Sequence, residues 1–313
     1  MADATAQTEL MQRLMQAMSS GKVPVDIPSL RKLMDEIAPI LNADPPKVGA
    51  IHEDVLLREV DGARVSADVL VPHGAGPHPV LVYLHGGGWV AGSARTHRKL
   101  GLRFAEAGYL VVNVDYRLAP EAPFPAPFDD CVFAVRWAAA NATRFGGDAR
   151  RLAIGGDSAG ANLSAAVAAH LAGKAGEPAI RAALLIYGAF DFEALAHSEP
   201  DLGAGDPALA RALRDAMIHA YLGRESDSTR LRDPRVSPVH AVAKLPPAFL
   251  VVGTADSLLE QQRALAAGLE RAGIAHENMI VEGMPHGFVQ YEFLPPALDA
   301  IRRMTAFLDR HLG

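Results

Sequence analysis

The sequence predicts an α/β fold, a mostly parallel sheet of about eight strands flanked by helices. Three observations carry this. From about residue 50 onward, apolar runs of strand length alternate with helix-length amphipathic segments. The later runs are continuous in Val, Ile and Leu, as strands buried on both faces of a parallel sheet are. One of them, residues 151–156, runs straight into a small-residue helix through a tight Gly-Asp-Ser-Ala-Gly turn. With 313 residues the chain makes one large domain or two small ones, long enough to bury a core without disulfide or metal staples.

Residues 1–45 read as one or two amphipathic helices, with Leu10, Leu14 and Met18 on one stripe and Leu30, Leu33, Met34 and Ile37 on another. The runs 55–60 and 64–71 alternate apolar with polar residues, the pattern of half-exposed antiparallel strands. Strands follow at 79–84, 109–116, 151–156, 182–188, 248–253 and 277–283, with helices at 96–107, 127–144, 159–173, 257–272 and 296–312. The helix at 257–272 stops at Ala272-Gly273, a termination signal. Residues 189–245 break the rhythm. They form a long insertion, helical around 207–222 and interrupted by prolines, and an insertion of this length reads as a lid over a site.

Composition narrows the function classes. A net charge of −6 argues against nucleic acid as the main partner, because phosphate binding needs a basic face. Cys131, the one cysteine, allows no internal disulfide and no cysteine-built zinc site, and its helical setting reads as a small buried residue. No apolar run reaches the roughly 18 residues of a membrane span, and no secretory leader pattern opens the chain. The reading is a soluble, cytoplasmic protein without a metal or cofactor, since His-Glu-x-x-His is lacking and the histidines are scattered.

Gly156-Asp157-Ser158-Ala159-Gly160 sits where a strand turns sharply into a helix, the setting a nucleophile elbow requires. Ser158 then lies at a helix N-terminus, whose positive end favours developing negative charge. The plainer alternative is a helix cap made by Asp157 or Ser158. His85-Gly86-Gly87-Gly88-Trp89 follows another strand, and glycines there let backbone amides approach a reacting carbonyl. Gly86-x-Gly88-x-x-Ala91 also fits a dinucleotide-binding turn, which should open a helix at once; residues 90–93 read as loop instead. Asp256 and His286 each stand just past a strand's C-terminal end, completing the chain order Ser, Asp, His. Taken alone, an Asp there is an ordinary turn residue and a loop His an ordinary surface residue.

The motifs HGGGW (85–89), YRLAPEAPFPAP (116–127), GDSAG (156–160), GTAD (253–256) and GMPHGF (283–288), in this order, resemble the hormone-sensitive-lipase-like esterases of the α/β-hydrolase superfamily, also called bacterial family IV. The resemblance implies an α/β-hydrolase body at 46–188 and 246–313 with a helical cap built from residues 1–45 and 189–245. It implies ester hydrolysis by Ser158, His286 and Asp256, with the amides of Gly87, Gly88 and Ala159 as the oxyanion hole and Gly86 shaping the turn. It further implies a small-molecule ester of short to medium chain, no cofactor, and a homodimer through residues 277–312. Trp89, Asp157, Tyr187, Phe190 and Phe192 are candidate pocket walls, with ordinary core packing as the alternative for the aromatics. Tyr116, Arg117 and Glu121 read as a buried hydrogen-bond network under the oxyanion loop. One departure is the loop after the acid, Asp256-Ser257-Leu258-Leu259-Glu260, where the family often carries Asp-Pro-Leu-x-Asp; Glu260 reads as a helix-surface residue. An amidase, peptidase or lactonase would use the same residues, and a ligand-binding protein on this scaffold would keep the fold without the chemistry.

Overall fold

A computed structural model describes residues 26–198, 207–223 and 228–313. Its eight strands are β1 (Ala50–Val60), β2 (Ala63–Val71), β3 (His78–Leu84), β4 (Leu110–Asp115), β5 (Gly147–Asp157), β6 (Ile180–Ile186), β7 (Ala248–Ala255) and β8 (His276–Pro285). They form one sheet in the order β1-β2-β4-β3-β5-β6-β7-β8. β1 and β2 pair antiparallel, β2 meets β4 antiparallel, and every later pair is parallel. The helices are α1 (Ile27–Leu41), α2 (Arg98–Glu106), α3 (Ala126–Asn141), α4 (Ala159–Leu171), α5 (Phe192–His197), α6 (Pro207–Leu222), α7 (Ser228–Leu231), α8 (Leu259–Arg271) and α9 (Pro295–Leu312).

Strand alternation sorts the core into two layers. On β3, Val80, Val82 and Leu84 face one side, where α3, α4 and α8 supply Val135, Leu163 and Leu265. Leu81 and Tyr83 face the other, against Leu100 and Phe104 of α2 and Met304 and Phe307 of α9. Cys131 of α3 is fully buried, and burial raises its thiol pKa well above the ordinary value.

Two strands depart from the pattern read in the sequence. β2 is buried from Val65 to Leu70 rather than half-exposed, because α2 covers its second face and Arg98 Nη2 donates to Asp68 at 2.7 Å. β8 is partly exposed on most of its length rather than buried on both faces, since it is the sheet edge beyond β7.

α1 starts at Asp26, whose carboxylate accepts the Ser29 amide at 2.8 Å. Its apolar stripe turns inward: Leu30 and Met34 pack against the core. Arg31 anchors it further, donating to Val90 O at 2.7 Å, to Ala119 O at 2.9 Å, and to both oxygens of Glu121. The stripe expected at Leu10, Leu14 and Met18 lies outside the described residues. Among the described residues, no helix is long and apolar enough to cross a membrane.

Candidate active site

β3 and β5 lie side by side in parallel, with Leu84 opposite Gly156, so the loops leaving their C-terminal ends are neighbours. At the end of β5 the backbone reverses through Ser158 at φ 53° and ψ −117°, and α4 begins at the next residue. A side chain in this left-handed region is strained, and such strain collects at functional positions. The turn fits only because Gly160 has no side chain. A Cβ there would overlap the Leu84 carbonyl oxygen and stand 2.6 Å from the His85 carbonyl oxygen.

The three residues proposed for chemistry meet at this edge. His286 Nε2 lies 3.0 Å from Ser158 Oγ, and its Nδ1 lies 2.8 Å from Asp256 Oδ2. Asp256 is wholly enclosed (0% side-chain exposure), with Oδ1 accepting the Leu258 amide at 2.8 Å, while His286 keeps 29%. Burial opposes the imidazolium; the charge of Asp256, its hydrogen bond and the more distant Asp157 outweigh that and raise the His286 pKa. This polarity suits a base that must hold a proton briefly.

The loop after β3 holds the glycines expected to offer backbone amides. Gly87 and Gly88 have φ of 125° and 62°, and Trp89 follows at 62°. Trp89 is held in that conformation by ring contacts with Tyr221 at 5.0 Å and Phe192 at 4.7 Å. The Gly86 amide is committed to Asp157 Oδ1 at 3.1 Å, which fits a turn-shaping part. No helix opens until Arg98, so the loop lacks the geometry of a dinucleotide turn.

Asp157 does more than line a wall. Its Oδ1 also accepts the Tyr83 hydroxyl at 2.9 Å, Gln290 donates to Oδ2 at 3.3 Å, and His97 Nε2 stands 3.3 Å from Oδ2 without hydrogen-bond alignment. Burial works against this carboxylate, but His97 and the Tyr83 hydroxyl hold its pKa below the usual value. One buried charge therefore joins the elbow, the glycine loop after β3 and the loop that carries His286. His85, stacked on Tyr116 at 4.3 Å, is pushed down to about 3 by burial and by its neighbour His97, so it stays neutral and its Nδ1 meets Gly86 O at 2.8 Å.

Two cavities open on Ser158. The larger, about 280 Å³, is walled by Leu30, Leu33, Met34 and Ile37 of α1, Leu213 of α6, Tyr187 and Tyr291. The smaller, about 90 Å³, is walled by Trp89, Leu195, Ile218 and Leu258. Trp89 and Tyr187 thus border the site. Phe190 and Phe192 line neither cavity and pack as core residues, Phe190 with its amide donating to Gln261 Oε1 and Phe192 against Trp89. A larger cleft of about 930 Å³ borders Ala91–Ser93 and is lined by ion-paired Arg31, Arg98 and Arg117, but it contains none of Ser158, Asp256 and His286.

Other expectations meet mixed outcomes. Tyr116 donates to His85 O at 2.7 Å and supports the loop, and Arg117 grips Asp130 at 2.8 Å. Glu121 is 66% exposed and serves α1 through Arg31 rather than a buried network. Glu260 is a surface residue paired with Arg263. His97, Gln290 and Met217 carry no motif, and no spacing in the chain marks them. Among the described residues, no group of three or more His, Cys, Asp and Glu is placed to hold a metal ion.

This fold, with a strained elbow serine hydrogen-bonded to a His–Asp pair, defines an α/β-hydrolase of the serine type. A family model described as the alpha/beta hydrolase fold matches residues 81–290, and the chain belongs to that family, in its hormone-sensitive-lipase-like branch. It is 38% identical over 238 residues to the carboxylesterase NlhH of Mycobacterium tuberculosis, covering 75% of this chain and 74% of that one. With the ethyl acetate hydrolase of Pseudomonas putida it shares 35% identity over 236 residues, covering 74% and 73%. Among solved structures, the hyperthermophilic esterase of Pyrobaculum calidifontis superposes with a TM-score of 0.83 at 28% identity over 99% of both chains. An ester hydrolase from the Lake Arreo metagenome does so at 0.82 and 34% over 98% of both.

Proposed function

We propose that the protein is a serine carboxylesterase that hydrolyses short- to medium-chain esters through an acyl-enzyme. The observation that carries this is the line Ser158–His286–Asp256, at 3.0 and 2.8 Å, whose first two members line a largely apolar cavity. The names of the relatives agree with it. His286 takes the Ser158 proton as Oγ bonds to the ester carbonyl carbon, and the carbonyl electron pair moves to oxygen. The amides of Gly87, Gly88 and Ala159 receive that oxyanion, each such donor stabilising the transition state by about 3 kcal/mol. Asp256 keeps the imidazole oriented and stabilises its charge without taking the proton. Collapse breaks the carbon–oxygen bond to the alcohol, which leaves with the proton from His286. Water then attacks the acyl-enzyme along the same route and frees Ser158.

We assign residues 1–45 and 189–245 to a cap: α1 and α6 both line the larger cavity above Ser158. We also read the protein as cytoplasmic, and as a homodimer joined through residues 277–312, an assembly that sedimentation of the purified chain would check. The function is tested with p-nitrophenyl acetate and p-nitrophenyl octanoate on wild type and Ser158→Ala. Turnover that vanishes in the variant supports the reading. Absence of wild-type turnover, or an active variant, overturns it.

A further inference from the structure

Among the described residues, four line both cavities at the site: Gly88, Ser158, His286 and Met217. The first three belong to the proposed reaction centre. The fourth is a thioether side chain from α6 with no part in the chemistry. Met217 lies directly on the oxyanion loop, since a Cβ at Gly88 would overlap its Sδ and stand 3.4 and 3.5 Å from its Cγ and Cε. It therefore stands where the two lobes join, beside the atoms at which an ester would be cleaved.

The lobes differ in size and walls. At roughly 30 Å³ for each water-sized group, the 90 Å³ lobe holds about three and the 280 Å³ lobe about nine. The large lobe is apolar along α1. The small one is lined by Trp89, Leu195, Ile218 and Leu258, with Ser198, Arg214 and Ser257 as its own polar members. An ester bound at Ser158 has two arms, acyl and alkoxy, and two lobes of unequal size meet there to receive them.

We propose that Met217 is the partition that sets specificity: it confines one arm of the ester to about three or four heavy atoms while leaving the other free to extend along α1. The substrate class is then an ester with one short arm and one medium-length apolar arm. This rests on the carboxylesterase reading. A thioether suits the position because its unbranched, flexible chain fills an irregular gap and can be replaced without recasting the fold.

The test uses two ester series in a pH-stat: ethyl acetate to ethyl octanoate, which lengthens the acyl arm, and ethyl to octyl acetate, which lengthens the alcohol arm. In wild type, kcat/KM falls steeply beyond about four heavy atoms in one series and stays level in the other. Met217→Ala joins the lobes and raises the long-to-short ratio of kcat/KM at least about tenfold in the steep series alone, since each misfitting methylene costs roughly 10–200-fold. Met217→Leu, nearly equal in volume, keeps the wild-type pattern. Leu195→Ala enlarges only the small lobe and relieves the same series, which keeps the proposal testable if Met217→Ala does not fold. Level profiles in both wild-type series, relief of both series alike, or no change in Met217→Ala and Leu195→Ala overturns the partition. Wild type that hydrolyses no ester in either series overturns the carboxylesterase reading itself, and the partition with it.

Discussion

A single methyl group at Gly160 should disable the site from beneath. In Gly160→Ala the new Cβ would stand 2.6 Å from the His85 carbonyl oxygen and closer still to that of Leu84, whereas ordinary contact begins near 3.4 Å. Both obstacles are backbone at the end of β3, which cannot swing aside as a side chain would. Either α4 or the loop at 85–89 must therefore retreat by more than about 0.8 Å, which is the shortfall at the farther of the two oxygens alone. The two pieces that separate are the one holding Ser158 and the one holding Gly87 and Gly88. A misplacement near 1 Å costs about 100-fold in rate, and overpacking of a close-packed contact costs about 1–3 kcal/mol in stability. The expected outcome is kcat/KM for p-nitrophenyl acetate reduced about 100-fold in a protein whose urea midpoint falls but whose far-UV dichroism is retained. Wild-type turnover in Gly160→Ala would refute the claim that elbow and oxyanion loop are held in register by this approach.

The pH dependence follows from His286, whose raised pKa puts the acid limb of kcat/KM above the ordinary imidazole value of about 6.5. Asp256→Asn removes the main opposing charge and leaves burial, so that limb should fall below about 6.5 while turnover drops; a limb that stays in place counts against the assignment. By linkage, a His with a raised folded-state pKa adds stability below its unfolded value and loses it as pH rises through the folded one. Asp157→Asn leaves Oδ1 as an acceptor but turns Oδ2 into a donor facing Gln290 and His97; hydrogen bonds to a buried charge are worth about 1.5–3 kcal/mol each, so urea unfolding should show a loss of about 2–4 kcal/mol and the acid limb should move down. Deleting residues 1–40 removes Arg31 and most of α1, and should cut turnover at least about tenfold while the melting of the sheet changes little; normal turnover would sink the cap assignment.

Most of the body was legible because its signals are local. Continuous Val, Ile and Leu runs marked the parallel strands, and the small residues after Ser158 marked α4, which packs closely enough to need them. β2 was misjudged as half-exposed because its polar positions are buried in pairs: the partner of Asp68 is Arg98, 30 residues away, and no period in the strand reveals it. β8 carries a core-like composition at a sheet edge, a position decided by strand order and invisible in the strand itself. At the site, the meeting of Ser158, Asp256 and His286 is legible because chain order and strand ends constrain it. His97 and Gln290, which stand with Asp157 across 60 and 133 residues, were not, since nothing nearby in the chain constrains either. For Phe190 and Phe192, at the start of the insertion, the sequence leaves pocket wall and core packing both open, and core packing is what the structure has.

The lone, enclosed Cys131 has a practical corollary. Its thiol is out of reach and held in its protonated form by burial, so it does not compete for alkylating reagents. A cysteine introduced on the exposed side of α1 or α6 would therefore be the single labelling handle in the chain. A fluorophore attached there would report movement of the helices above Ser158 during turnover, in a background that needs no cysteine removed first.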